Sequence, residues 1–191
     1  SELATDWVKN PPKQLWRQPI GAAWSGFSIF GHRAITQEQR KENESVYCYH
    51  IETGEVLWIT EHPGHYNTSI AGEGPRATPA IYNNKVFALG AEGTLSCLEL
   101  ADGKIIWQRN LVSDAELDSN EPKDQTGASK PRNKSKEWGF SSSPLVFDNK
   151  VIVSAGGENG KSLIAYDINN GNPIWKAGSS PAGYSSAITF V

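Results

Sequence analysis

The chain has 191 residues with 18 basic against 21 acidic side chains, a net charge of -3 at pH 7, so it lacks the positive field that gripping a phosphate backbone or an anionic membrane requires, and nucleic acid is not expected as a partner. Seven Trp, 18 Gly and 11 Pro, set among short Val/Ile-rich runs, point to many short strands joined by tight turns and to an all-β class. No stretch approaches the roughly 18 apolar residues that span a bilayer.

In chain order, residues 1–20 open with SELATDWVKN, which has neither the basic nor the apolar region of a secretory signal, and the absence of Met together with Ser1 is the expectation for a protein whose leader has been removed. Lys13-Gln14-Leu15-Trp16-Arg17 reads as an isolated strand. Residues 21–62 then hold a hairpin, Ile29-Phe30-Gly31-His32-Arg33-Ala34-Ile35, and a second one running from Tyr47 through Gly54 to Trp58. Residues 63–112 repeat both: Ile81-Tyr82-Asn83-Asn84-Lys85-Val86-Phe87, then Ser96 through Gly103 to Trp107. After a polar insertion over 113–137, residues 138–178 do so again, with Val146-Phe147-Asp148-Asn149-Lys150-Val151-Ile152, then Ile164 through Gly171 to Trp175. Residues 179–191 begin a further unit.

In each second hairpin a strand alternates apolar and polar residues, a Gly sits where the turn needs positive φ, and a Trp follows four residues later. Phe30, Tyr82, Phe147 and Phe190 are equivalent, 52, 65 and 43 residues apart, near the spacing of about 40–50 residues typical of propeller blades. The first strand of each unit is built on small residues, Gly26-Phe27-Ser28, Ala77-Thr78-Pro79, Ser141-Ser142-Ser143 and Ser185-Ser186-Ala187. Such residues suit the crowded axis of a propeller. The expected architecture is therefore a partial β-propeller: about three four-stranded antiparallel blades, an extra N-terminal outer strand, and the first strand of a fourth blade. The expectation is a piece of a longer propeller, or a ring completed by another polypeptide.

The pattern A-x-D-x-x-T-G-x-x-x-W, best matched by Ala165, Asp167, Gly171 and Trp175, resembles the PQQ-like (quinoprotein-like) repeat. The first two copies depart from it, with Cys48 and Cys97 at the Ala position and His50 and Glu99 at the Asp position. That family includes quinoprotein dehydrogenases, the propeller lipoprotein of the outer-membrane β-barrel assembly machinery and uncharacterised bacterial propellers. The resemblance implies export to an extracytoplasmic or periplasmic compartment.

Ala155-Gly156-Gly157-Glu158-Asn159-Gly160-Lys161-Ser162 matches a relaxed phosphate-loop pattern but leads into a repeat strand instead of a helix, so it reads as a hairpin. His62-Pro63-Gly64-His65 offers two imidazoles, yet Pro-Gly breaks the helix that would aim them at a metal, and a solvated loop is expected. The cysteines read as small buried side chains in adjacent blades. Quinoprotein dehydrogenases hold PQQ against a vicinal disulfide and Ca²⁺, and no adjacent Cys pair exists here, so no cofactor is expected, PQQ with Ca²⁺ being the alternative.

Connections into innermost strands share one face of a propeller, and here they carry Trp24, Arg76, Trp138, Phe140 and Tyr184. Aromatics and Arg are enriched at binding hot spots. These five form the candidate binding site, with packing between blades the alternative for Trp138 and Phe140. The leading functional expectation is a non-catalytic scaffold binding protein or peptide; the alternatives are a portion of a PQQ-dependent dehydrogenase and an extracytoplasmic sensor module of a larger receptor or kinase.

Overall fold

The computed structural model describes residues 6–69, 72–117 and 138–190. Three four-stranded antiparallel sheets carry the fold, each a meander whose strands pair in chain order. The first blade comprises β1 (Ser28–Phe30), β2 (Arg33–Arg40), β3 (Asn43–His50) and β4 (Val56–Pro63). A two-stranded ribbon of β5 (Asn67–Thr68) and β6 (Gly72–Glu73) lies in the connection onward. The second blade is β7 (Ala80–Tyr82), β8 (Lys85–Leu89), β9 (Thr94–Glu99) and β10 (Ile105–Asn110), followed by the helical turn α1 (Leu111–Asp114). The third is β11 (Leu145–Phe147), β12 (Lys150–Gly157), β13 (Lys161–Asp167) and β14 (Pro173–Ala177). The short strands β1, β7 and β11 touch one another in succession, as innermost strands around an axis do.

Asn83 and Asn84, like Asp148 and Asn149, all have positive φ, the left-handed backbone that a two-residue hairpin of matching twist demands and that Asn tolerates best. A β-bulge recurs at one position of every blade. Cys48 pairs with Trp58 and Tyr49 with Val56, so Leu57 is skipped; Ile106 and Ile174 are skipped in the same way. The extra residue turns the Trp to the face that carries Cys48, Cys97 or Ala165. A bulky indole directly opposite leaves room only for a small side chain at these positions.

Trp16, Trp58 and Trp107 each dock on the blade that follows. Trp16 Nε1 donates to the Ile51 carbonyl at 2.7 Å, Trp58 Nε1 to Leu100 at 3.1 Å and Trp107 Nε1 to Ile168 at 3.2 Å. A Cβ at Gly54, Gly103 or Gly171 would lie 2.6, 2.5 or 2.7 Å from the same indoles. The turn glycine is thus required twice over, by its positive φ and by the ring stacked on its bare Cα. Lys13–Arg17 forms no strand, since no sheet neighbour is present to ladder with it, yet Trp16 fills the slot of a blade's outer Trp. Residues 179–190 likewise carry no strand.

The cores lie between blades. Ile35, Val46, Cys48 and Trp58 meet Val86, Ala88, Leu98 and Leu100; Phe87, Leu95, Cys97 and Trp107 meet Val151, Val153, Ile164 and Tyr166. Trp16 and Tyr49 stack at 5.9 Å on the N-terminal side of the first blade. Small hydroxyl side chains link the blades near the axis: the Gly26 amide donates to Thr78 Oγ1, that of Thr78 to Ser143 Oγ and that of Ser143 to Ser186 Oγ, each at 2.9 Å. Small size explains these residues only in part; the oxygen accepts the neighbouring blade's amide.

The polar insertion begins later than its composition indicates. Leu111, Ala115 and Leu117 are buried in the second core, and Asp114 accepts from Arg109 at 3.0 and 2.5 Å and from the Tyr166 hydroxyl at 2.9 Å. The expected solvated stretch over 118–137 lies outside the described residues. Gly157 and Lys161 pair across the β12–β13 hairpin, which removes the helix that a phosphate loop needs.

Cys48 and Cys97 are free thiols with no exposed surface. Burial pushes Cys48 up to about 11 and Cys97 up to about 12, with Arg33 and Lys85 respectively opposing it. Both thiols are therefore protonated at pH 8, and the thiolate is the reactive form. Ellman's reagent should leave the native protein unmodified at that pH and titrate both thiols in guanidinium; rapid native reaction would mean that the blade interfaces open.

Candidate binding face and family

The strand order places the β2–β3 turn, the β5–β6 ribbon and every connection into an innermost strand at one end of the blades. Of the five candidate residues, Trp24, Arg76 and Trp138 are brought together there. The Trp24 amide donates to the Pro75 carbonyl at 2.9 Å. Arg76 Nε donates to the Trp138 carbonyl at 3.2 Å, Nη2 to the Gly72 carbonyl at 2.9 Å, and Nη1 to Gly74, while its guanidinium lies 4.3 Å from the Tyr66 ring centre. Burial lowers its pKa from the usual guanidinium value. Arg76 therefore pins three loop segments to one another.

Trp24 and Tyr184 stand out at 68% and 62% exposure, whereas Phe140 is 2% exposed and packs in the core. The reason is Gly93: at φ +94° with a bare Cα, it leaves the space that the Phe140 ring fills, and a Cβ there would sit 2.6 Å from Phe140 Cε2. Phe140 shapes the face from beneath and presents no surface. Trp138 is half-buried, its carbonyl engaged by Arg76.

The His62–His65 segment is more ordered than a solvated loop. His62 is the penultimate residue of β4 and its Nε2 lies 3.4 Å from Oε2 of the buried Glu44, whose Oε1 accepts from the Ala91 amide at 2.8 Å. His65 Nδ1 is 2.9 Å from the Lys41 carbonyl, which raises its pKa. Among the described residues, no three His, Cys, Asp or Glu side chains converge to hold a metal. Gln37, Gln39 and Glu44 sit at the same end, buried between the first two blades, where Gln37 Nε2 donates to the Ala77 carbonyl at 2.8 Å and Gln39 Oε1 accepts from the Tyr66 amide at 2.9 Å. Sequence reasoning passes over these residues because polar side chains in Thr36–Arg40 do not look like a buried strand.

A family model described as "Outer membrane protein assembly factor BamB" matches residues 8–122 and, in an overlapping alignment, 42–189. The chain belongs to this BamB-like PQQ-repeat family. The BamB of Escherichia coli K12 is 32% identical over 84 residues, 41% of this chain and 21% of that protein; the chain thus spans about a fifth of the length of the curated relatives it matches. Among solved structures, BamB from Moraxella catarrhalis matches at 21% identity with a TM-score of 0.48, over 80% of this chain and 35% of that one. A quinohemoprotein alcohol dehydrogenase from Comamonas testosteroni matches at 19% identity with a TM-score of 0.53, over 82% and 21%. At that identity the likeness shows a shared propeller fold and nothing of chemistry. The two cysteines lie in different sheets, each buried against its own Trp. No helix among the described residues is long and apolar enough to cross a membrane.

Proposed function

We propose that the chain is a recognition scaffold of the outer-membrane protein assembly type, binding a protein or peptide segment on the face built by Trp24, Trp138 and Tyr184, outside the cytoplasm and without a cofactor. The observation that carries this reading is the contrast within one face. Arg76 and Phe140 are wholly taken up in fixing the loops, while Trp24, hydrogen-bonded to Pro75 beside Arg76, and Tyr184, on the segment after the third blade, stay in solvent. Exposed, rigidly mounted aromatics provide contact area at little entropic cost, as hot spots do. The match to a family described as an assembly factor supports a protein as the partner.

A photo-crosslinking residue placed at Trp24 or Tyr184 tests it. Irradiation with an envelope extract of the source cells should give a discrete protein adduct from both sites and none from Glu52, on a turn at the opposite end of the blades. Absence of adducts, with turnover of an alcohol after addition of PQQ and Ca²⁺, would replace the reading with a dehydrogenase one.

A further inference from the structure

At the opposite end of the blades, one position repeats with a change of charge. Phe30 pairs with Arg33, Tyr82 with Lys85 and Phe147 with Lys150 across the first hairpins. Across the next strand Lys85 faces Glu99 and Lys150 faces Asp167, but Arg33 faces His50. The second and third blades therefore set a carboxylate opposite the cation, and the first does not. Directly opposed residues share a face of the sheet. Arg33 and His50 lie on the face of Ile35 and Cys48, which turns toward the second blade.

Neither group is otherwise satisfied. Arg33 Nε and His50 Nδ1 are buried and have no hydrogen-bond partner. Among the described residues, the Arg33 side chain makes one hydrogen bond, from Nη1 to His32 Nε2 at 2.9 Å, and the His32 and His50 rings lie 5.4 Å apart. None of the three forms an ion pair among the described residues. A buried guanidinium N–H without an acceptor is unfavourable enough that native structures rarely leave one without a reason. Arg33 also lines a cleft of ≈ 320 Å³ between the first two blades, together with Phe30, Asn84, Glu99, Leu100 and Ala101. Glu99 lines the same cleft but stands opposite Lys85 across the β8–β9 pair, and among the described residues it forms no ion pair with Arg33.

We infer that this cleft binds a peptide carboxylate, an acidic side chain or a free C-terminus, on the Arg33 guanidinium, with the adjoining apolar group of the peptide against Phe30 and Leu100. The inference deepens the recognition reading and rests on it, but it uses the other end of the blades. A planar guanidinium with open donors matches a carboxylate. The cleft volume lies at the low end for ligand sites, which suits one or two residues of a peptide. The apolar wall and the single cation disfavour a polyanion.

The test follows the Arg33 Nε–H resonance of the full-length protein by NMR during titration with acetate, inorganic phosphate, and two peptides of sequence Ac-Gly-Leu-Asp-Leu-Gly-NH₂ and its Asn isostere. The Asp peptide should move the resonance saturably, at least tenfold more tightly than the Asn peptide, and acetate should move it in the same direction at higher concentration. Arg33→Gln should abolish Asp-peptide binding measured on the His50 ring resonances, whereas Lys85→Gln should leave it unchanged. Equal binding of the two peptides, or saturation by phosphate with no response to either peptide, would overturn the assignment. Crosslinks at Trp24 and Tyr184 are unaffected by Arg33→Gln, so the two readings fail separately.

Discussion

Trp107→Ala should destabilise the protein by about 3–5 kcal/mol, the range for truncating a buried aromatic. The indole is 8% exposed, packs within 6.0 Å of Phe87 and 6.5 Å of Tyr166 between ring centres, and donates to the Ile168 carbonyl at 3.2 Å. Its removal empties the junction of two blades and leaves that carbonyl only the Cys97 thiol, at 3.9 Å, as a donor. The reciprocal change, Gly171→Ala, should cost a comparable few kcal/mol, since the new methyl would meet the Trp107 ring at 2.7 Å and the residue sits at φ +70°. Trp175→Ala is the internal control. Trp175 occupies the equivalent bulged position but is half-buried, with no indole hydrogen bond among the described residues, and its loss should cost under about 1 kcal/mol. Urea unfolding followed by far-UV circular dichroism reads all three. Equal midpoint shifts for Trp107→Ala and Trp175→Ala would mean that docking on the next blade contributes nothing and that the Trp matters only within its own sheet.

How much of this is legible from residues alone follows the same division. Gly54, Gly103 and Gly171, each four residues before a Trp, identify the repeat because both residues answer to one local geometry, a positive-φ turn and a bulge. The four-stranded meanders follow from that. What residues alone do not reveal is what lies across a blade boundary. For Phe140 the residues leave open a binding or an inter-blade packing role, and packing holds because the space that takes the ring is made by Gly93, in a different blade. Arg76 reads as a contact residue for a partner because its acceptors are backbone carbonyls, which no sequence pattern records. Ala115 and Leu117 merge with the polar stretch around them because two apolar residues are too few to show a period, although both reach the core beside Leu111.

The polar half of β2 yields the second large effect. Residues 34–39 are buried on both faces, because the second blade covers one side and the N-terminal segment the other. Glu38 faces that segment with no exposed surface; it accepts from the Gly21 amide at 2.5 Å and from Arg40 Nε at 2.7 Å. Ala22 and Gln39 close the contact with a pair of backbone hydrogen bonds at 3.1 and 2.8 Å. Glu38→Ala leaves an amide and a guanidinium without their acceptor. Removing one partner of a fully buried pair costs about 3–5 kcal/mol; Arg40 is 40% exposed and can turn to water, which brings the expected loss to about 2–3 kcal/mol. Glu38→Gln keeps one acceptor oxygen for Gly21 and gives up only the ion pair, so it should cost about 1 kcal/mol. Amide hydrogen exchange separates local from global opening: in Glu38→Ala the Ala22 and Gln39 amides should exchange at least tenfold faster while those of β8 and β9 keep their protection. Were β8 and β9 to lose protection equally, the N-terminal segment and the blades would unfold as one unit, and Glu38 would be holding the first blade itself together instead of fastening residues 16–25 to it.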